Sequence, residues 1–326
     1  MMNIYPPALI NLNWLPAVLM VTLLACFHDE VNASPQYDLM PVQITDNVWF
    51  VEGKRENFSR DNGGNIVNTA FIATEEGVVV IDTGPSWQYG QALHDIIRET
   101  TGKDINRVLI THHHPDHTFG NQAFDVDKLY ALPGTISRLK ADGDAFADNM
   151  YRMVGHWMKG TEVIVPPNQI SPGKLTVGKH EFELFAMTGH SGADLVIMDH
   201  TSGVLFASDM VFFNRALTTP HTPGLRQWQQ ELEVLNTMPF SLLVPGHGPI
   251  SHDNTPILQT SAYLDWLDTL LQESAEQGLT PSEIMAAPIP DQFNDIAEVQ
   301  YELVRTISHL YPEYEKSALQ TLANDL

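Results

Sequence analysis

The stretch that most constrains this chain is Thr111-His112-His113-His114-Pro115-Asp116-His117, entered from the apolar run Val108-Leu109-Ile110. Five metal-capable side chains fall within six consecutive positions. A strand that feeds such a cluster delivers it where the backbone leaves a sheet, the usual place for sites in α/β folds. In extended chain, residues two apart project to one side, so His112 and His114 share a face while His113 points away. Pro115 suits the first turn of a helix, which turns Asp116 and His117 toward a neighbouring point. The stretch therefore offers two adjacent ligand sets, one for each of two metals.

A chance run of histidines on a loop would leave three later segments unexplained. They are Met187-Thr188-Gly189-His190-Ser191, Phe206-Ala207-Ser208-Asp209 and Val244-Pro245-Gly246-His247-Gly248. Each reads as the carboxyl end of an apolar strand, where side chains converge on one rim. One His or Asp at a strand end is more often structural; all three beside the histidine loop read as ligands. Imidazole and carboxylate suit Zn²⁺, and the set also accepts iron or manganese. The single cysteine, Cys26, adds no thiolate to it and leaves no intrachain disulfide.

At 326 residues with 43% apolar content, the chain can bury a full core. Acidic residues number 40 against 17 basic, a formal net charge of −23 that repels a phosphate backbone and argues against nucleic-acid binding. Residues 15–27 form an apolar run of signal-peptide length, short for a membrane span, and Val31-Asn32-Ala33 supplies a cleavage site. This predicts a signal peptide over 1–33 and export, although no Lys or Arg precedes Lys54. Leu23-Leu24-Ala25-Cys26 resembles a bacterial lipobox and offers a lipid-anchored form at Cys26 instead. Without residues 1–33 the chain has no cysteine, which suits an oxidising compartment.

Periodicity and turn residues predict strands over 42–45, 47–51, 66–73, 78–82, 107–110 and 128–131, and a helix over 87–100 ended by Gly102. A short helix is expected over 118–124. One or two helices follow over 135–159, interrupted near Gly143. Their Met150, Tyr151, Met153, Trp157 and Met158 read as core packing, with a cover over the site as the alternative. Hairpins are expected at 175–177 with 181–185, and at 194–198 with 204–207. A helix over 227–235, a strand over 242–244 and a mostly helical tail from 256 complete the pattern. Strands and helices, then strands and helices again, imply two half-domains packed sheet to sheet with helices outside. The expected organisation is a signal over 1–33, one α/β (α+β) domain over 34–254 and a C-terminal helical extension over 255–326.

His112, His114, Asp116 and His117 stand as the H-x-H-x-D-H motif, and with His190, Asp209 and His247 the chain resembles the metallo-β-lactamase fold hydrolases over roughly 42–251. The resemblance implies an αββα sandwich with a two-zinc site. By carry-over, His112, His114 and His190 hold one ion, Asp116, His117 and His247 the other, and Asp209 bridges them. Val80-Ile81-Asp82-Thr83-Gly84 is similar to the family segment in which Asp82 supports the ligand loop rather than binding metal. In the main lactamase subclasses the position of Asp209 is cysteine, so this site is closer to the glyoxalase II and lactonase branch.

Flanking segments (58–69, 81–86, 120–124 and Thr218-Thr219-Pro220-His221) resemble the quinoprotein relay system zinc metallohydrolases, similar to the SoxH-type branch. That resemblance implies a periplasmic protein linked to a pyrroloquinoline quinone-dependent dehydrogenase. A metal-bound hydroxide is then expected to attack a small-molecule ester-, thioester- or lactone-like substrate, with Asp116 orienting the nucleophile or passing its proton to the leaving group. The alternatives are a β-lactamase and a non-catalytic metal-containing accessory of quinoprotein electron transfer. Arg215 and His221 are candidate pocket residues. Lys54, Arg55 and Arg60 read as a solvated loop that could otherwise meet an anionic substrate.

Overall fold

The computed structural model describes residues 36–324 together with Met1 and Met2; the expected signal peptide and Cys26 lie outside the described residues. The first sheet runs β1 (Val42–Thr45), β2 (Val48–Val51), β3 (Thr69–Thr74), β4 (Gly77–Ile81), β5 (Ile105–Ile110), β6 (Leu129–Ala131) and β7 (Asn168–Gln169), neighbours in that order. Pairing is antiparallel up to β4 and parallel from β4 onward. The second sheet contains β8 (Gly173–Val177), β9 (His180–Met187), β10 (Asp194–Asp199), β11 (Val204–Phe212) and β12 (Leu242–His247). Its pairings are antiparallel except β11 with β12. The helices are α1 (Trp87–Thr101), α2 (Pro115–Thr118), α3 (Pro133–Val154), α4 (Leu225–Asn236), α5 (Thr255–Gln277), α6 (Pro281–Ile284) and α7 (Val299–Asn324).

Side chains that alternate along each strand build the layers. Ile72, Ile81 and Leu109 of the first sheet meet Leu184, Ile197, Phe206 and Val244 of the second in the central core. The opposite faces, Phe71, Val80 and Val108 on one sheet and Val196, Leu205 and Ala207 on the other, are covered by helices. Tyr89, Leu93 and Ile97 of α1 cover the first. Trp228 of α4, Leu264 and Leu267 of α5, and Leu303 and Ile307 of α7 cover the second. Each such side chain contributes about 1.5–3 kcal/mol by burial. The result is the expected αββα sandwich with a C-terminal helical part. α1 begins where Ser86 Oγ accepts from the Tyr89 amide, and it ends at left-handed Gly102, the glycine expected to end it.

Four expectations need correction. α3 passes unbroken through Gly143, because that glycine is buried against Val163, whose Cγ1 would lie 2.7 Å from an added Cβ. Its absent side chain permits close packing rather than a break. The helix expected over 118–124 is instead α2 followed by a single 3₁₀ turn at Asn121–Ala123. The strand expected from 66 begins at Thr69, since residues 66–68 bond to the other sheet: Ile66 carbonyl accepts from His247 Nδ1, and the Asn68 amide donates to Gly246 carbonyl. Finally, Asp209 lies inside β11, not at its end. Ser208 adopts a left-handed φ of 45°, and the register with β12 shifts on both sides of it.

Candidate metal centre

β5 delivers the histidine loop, and α2 turns its second half inward through Pro115 in the first turn. β9, β11 and β12 bring His190, Asp209 and His247 to the same rim. All seven residues are buried. His112 Nε2 and His190 Nε2 each lie 3.0 Å from His114 Nδ1. Asp209 Oδ2 is 3.2 Å from His190 Nε2 and 3.8 Å from His112 Nε2. The other carboxylate oxygen, Oδ1, is 3.1 Å from His117 Nε2 and 3.4 Å from His247 Nε2. Asp116 Oδ2 closes that second group at 3.4 Å from His247 and 3.7 Å from His117. The seven residues thus gather into two clusters, and Asp209 gives one oxygen to each.

Hydrogen bonds behind the rings set which nitrogen faces inward. His247 Nδ1 donates to Ile66 carbonyl at 2.8 Å, so Nε2 presents a lone pair. His117 Nδ1 contacts Asp82 Oδ2 at 2.7 Å. Asp82, at a left-handed φ of 59°, also accepts from the Thr111 amide and Thr111 Oγ1, each at 2.8 Å. With that hydroxyl proton committed, Thr111 Oγ1 accepts from His112 Nδ1 at 3.1 Å. Asp82 therefore stands outside the clusters, in contact with His117 and, through Thr111, with His112. His114 is held differently: its Nε2 lies 2.8 Å from His221 Nδ1. Gly246 leaves the space Asp209 occupies, since an added Cβ would sit 1.9 Å from Asp209 Oδ1.

The charge balance asks for a cation. Asp82, Asp116 and Asp209 are buried, and none pairs with Lys or Arg among the described residues. Burial holds the His112 and His114 imidazoles well below the ordinary histidine value and pushes His190 down to about 3. Neutral imidazole is the form that ligates. Burial opposes protonation of His117 too, but the carboxylates of Asp209, Asp82 and Asp116 raise its pKa well above the usual value. His117 Nε2 and Asp209 Oδ1 have no aligned hydrogen-bond partner despite their closeness. Lone pairs converging on a shared point, beside buried negative charge, fit a metal ion in each cluster. Substituting Asp82 by Ala is expected to weaken zinc binding about 10–100-fold, measured by competition with a chromophoric chelator. Unchanged affinity would remove Asp82 from the orienting role.

A cavity of about 260 Å³ opens onto His114, Asp116, Asp209 and His247. Phe58, Phe146 and Met153 form an apolar wall, and Asn57 and Asn149 supply amides. Arg215 and His221 both line it, as proposed from sequence. Arg215 is itself buried and paired with Glu302 at 3.1 Å. The Met/aromatic face expected over 135–159 divides: Met150 on α3 and Met158 in the 3₁₀ turn that follows it are core, Met153 faces the cavity, and Tyr151 is exposed. Lys54, Arg55 and Arg60 are exposed and do not line the cavity. Sequence reasoning missed Phe146, Asn149, Tyr301 and Arg305. The last two lie on α7, and nothing in the spacing of its residues pointed to the site.

Residues 62–247, more than half the chain, match the Metallo-beta-lactamase superfamily. Metallo-beta-lactamase IND-1 of Chryseobacterium indologenes is 26% identical over 191 residues, 55% of this chain and 71% of that protein. In structure, a metallo-beta-lactamase from Pontibacter korlensis superposes with a TM-score of 0.56 at 19% identity, covering 70% of this chain and 99% of the other. The IND-7 metallo-beta-lactamase gives 0.56 at 21% identity, covering 71% and 100%. At such identities the superpositions speak for the fold, and the sequence match speaks for descent. With its histidine and aspartate clusters at the shared rim, this chain belongs to the metallo-beta-lactamase superfamily of metal-dependent hydrolases.

Proposed function

We propose that the chain is a binuclear zinc hydrolase acting on a small ester-, thioester- or lactone-like substrate. The observation that carries this is the division of the Asp209 carboxylate between two ligand clusters at the mouth of a partly apolar cavity. His112, His114 and His190 would hold one ion, and Asp116, His117 and His247 the other. Bound there, zinc supplies Lewis acidity and lowers the pKa of water to about 7. The chain's own groups do the rest. Asp116, which lines the cavity, orients the attacking water and passes its proton to the leaving group. Phe58, Phe146 and Met153 exclude bulk water from the acyl group. Asp82 and His221 hold the ligand rings in place.

A second reading, β-lactam hydrolysis, is favoured by the similarity to IND-1. Against it stand the aspartate in place of a thiolate and a cavity below the ~300–1,000 Å³ typical of drug-sized ligands. An exported, periplasmic setting, with a link to a quinoprotein dehydrogenase, is proposed on the N-terminal apolar run and the flanking-motif resemblance. An accessory role there without catalysis is the remaining alternative. Purified protein is expected to contain two equivalents of zinc and to hydrolyse simple aryl esters or thioesters, with activity lost to a chelator and restored by zinc. Rapid nitrocefin turnover with inert esters would replace this reading by the lactamase one. Alcohol-dependent growth that survives Asp116→Asn would favour the accessory role.

A further inference from the structure

Part of the cavity wall, Tyr301 and Arg305, comes from α7, outside the residues that match the superfamily. Glu302 on this helix is fully buried and faces two guanidinium groups. Arg215 Nη2 donates to Glu302 Oε1 at 3.1 Å, and Arg305 Nη1 donates to Oε1 and Oε2 at 3.1 and 3.0 Å. One carboxylate thus answers two cations. Arg215 is engaged at both terminal nitrogens, donating also to Ala216 carbonyl, Thr218 Oγ1 and Asn57 Oδ1, and only its buried Nε lacks a partner among the described residues. Arg305 is engaged at one terminal nitrogen only. Its side chain is 35% exposed, it lines the cavity, and Nε and Nη2 make no hydrogen bond among the described residues. Tyr301, with the Arg305 guanidinium 5.8 Å from its ring centre, supports it from the same helix.

We infer that Arg305 is the anchor for a carboxylate on the substrate, so that the enzyme acts on short acyl compounds carrying a terminal carboxylate. This rests on the hydrolase reading above and names its substrate class. A guanidinium edge with two unused donors matches a carboxylate in bidentate fashion. Glu302 has already neutralised one of the two arginines, leaving a single positive charge, which favours a monoanion over a dianionic phosphate. The cavity's size and apolar wall then limit the remainder of the substrate to a few carbons between the anchored end and the scissile bond.

Monophenyl succinate and phenyl butyrate test this, because their acyl groups differ mainly by a carboxylate in place of a terminal methyl. The zinc-loaded protein is expected to prefer the succinate ester in kcat/KM. Arg305→Gln is expected to reduce that preference about tenfold to a hundredfold, the value of a charged hydrogen-bonded contact. Arg305→Lys keeps the charge toward Glu302 without the planar fork and covers the case in which the glutamine variant does not fold; it is expected to lose part of the preference. No preference in the wild type, or one unchanged in both variants at equal zinc content, overturns the proposal. Calorimetric titration with succinate reads the anchor apart from chemistry. Binding weakened about tenfold or more by either substitution supports it even if both esters are inert, a result that would count against the hydrolase reading alone. Equal binding by all three proteins, or inorganic phosphate binding more tightly than succinate, overturns it.

Discussion

Asp209→Ala is expected to abolish zinc-dependent hydrolysis, with kcat/KM falling by about a thousandfold or more, equivalent to about 4 kcal/mol. The size follows from the dual position of this side chain. Oδ2 faces His112 and His190, Oδ1 faces His117 and His247, so one truncation opens both clusters. Asp209→Asn is the sharper comparison. Its amide carries one acceptor oxygen and one donor nitrogen, so it can serve only one cluster and must turn N–H groups toward the other. Metal analysis of the two variants, alongside ester turnover, separates the cases. Alanine is expected to lose both equivalents and asparagine to retain one at most. Two equivalents retained with full activity in either variant would remove Asp209 from the bridging position.

Glu302→Ala is expected to destabilise the fold by about 3–5 kcal/mol, measured by urea unfolding at fixed free zinc. Removing a buried carboxylate leaves the Arg215 guanidinium unpaired beside a second cation, and Arg215 is almost as deeply buried as its partner. The cost lies in the charge left behind rather than in the pair itself. Pairing the change with Arg215→Met should therefore restore a large part of the loss. A single-variant loss below about 1 kcal/mol would mean that water reaches Arg215, which its burial argues against.

The residues of the two clusters were legible because most of them are marked locally. A strand running into H-x-H-x-D-H, and glycines flanking His190 and His247, announce side chains projecting from strand ends. Asp209 was found by type and misplaced in geometry. Its bulge depends on left-handed Ser208, whose hydroxyl donates to Thr111 Oγ1 at 2.8 Å, and on the room left by Gly246 across the strand. Neither partner is near in sequence. The late start of β3 has the same origin: Asn68 Nδ2 donates to Pro245 and Gly248 carbonyls at 2.8 and 2.7 Å, a tie between sheets that alternation cannot reveal. Gly143 was misread because a glycine that breaks a helix and one that admits a neighbour look alike in a sequence. α7 presented an ordinary amphipathic pattern. Its Leu303 and Ile307 bury as that pattern implies, while Arg305 acquires meaning only from the cavity it borders.

Neither sheet supplies a whole cluster. His112 and His114 come from the first half of the chain and meet His190 from the second; Asp116 and His117 meet His247 in the same way, with Asp209 common to both. An ion taken up at either place would therefore rivet the halves together at their shared edge. On the proposed two-ion reading, uptake would not be complete until the last strand had docked, which would make maturation of the site a late checkpoint on assembly. With metal withheld, the seam between the halves, rather than either half's interior, is where amide exchange would first quicken.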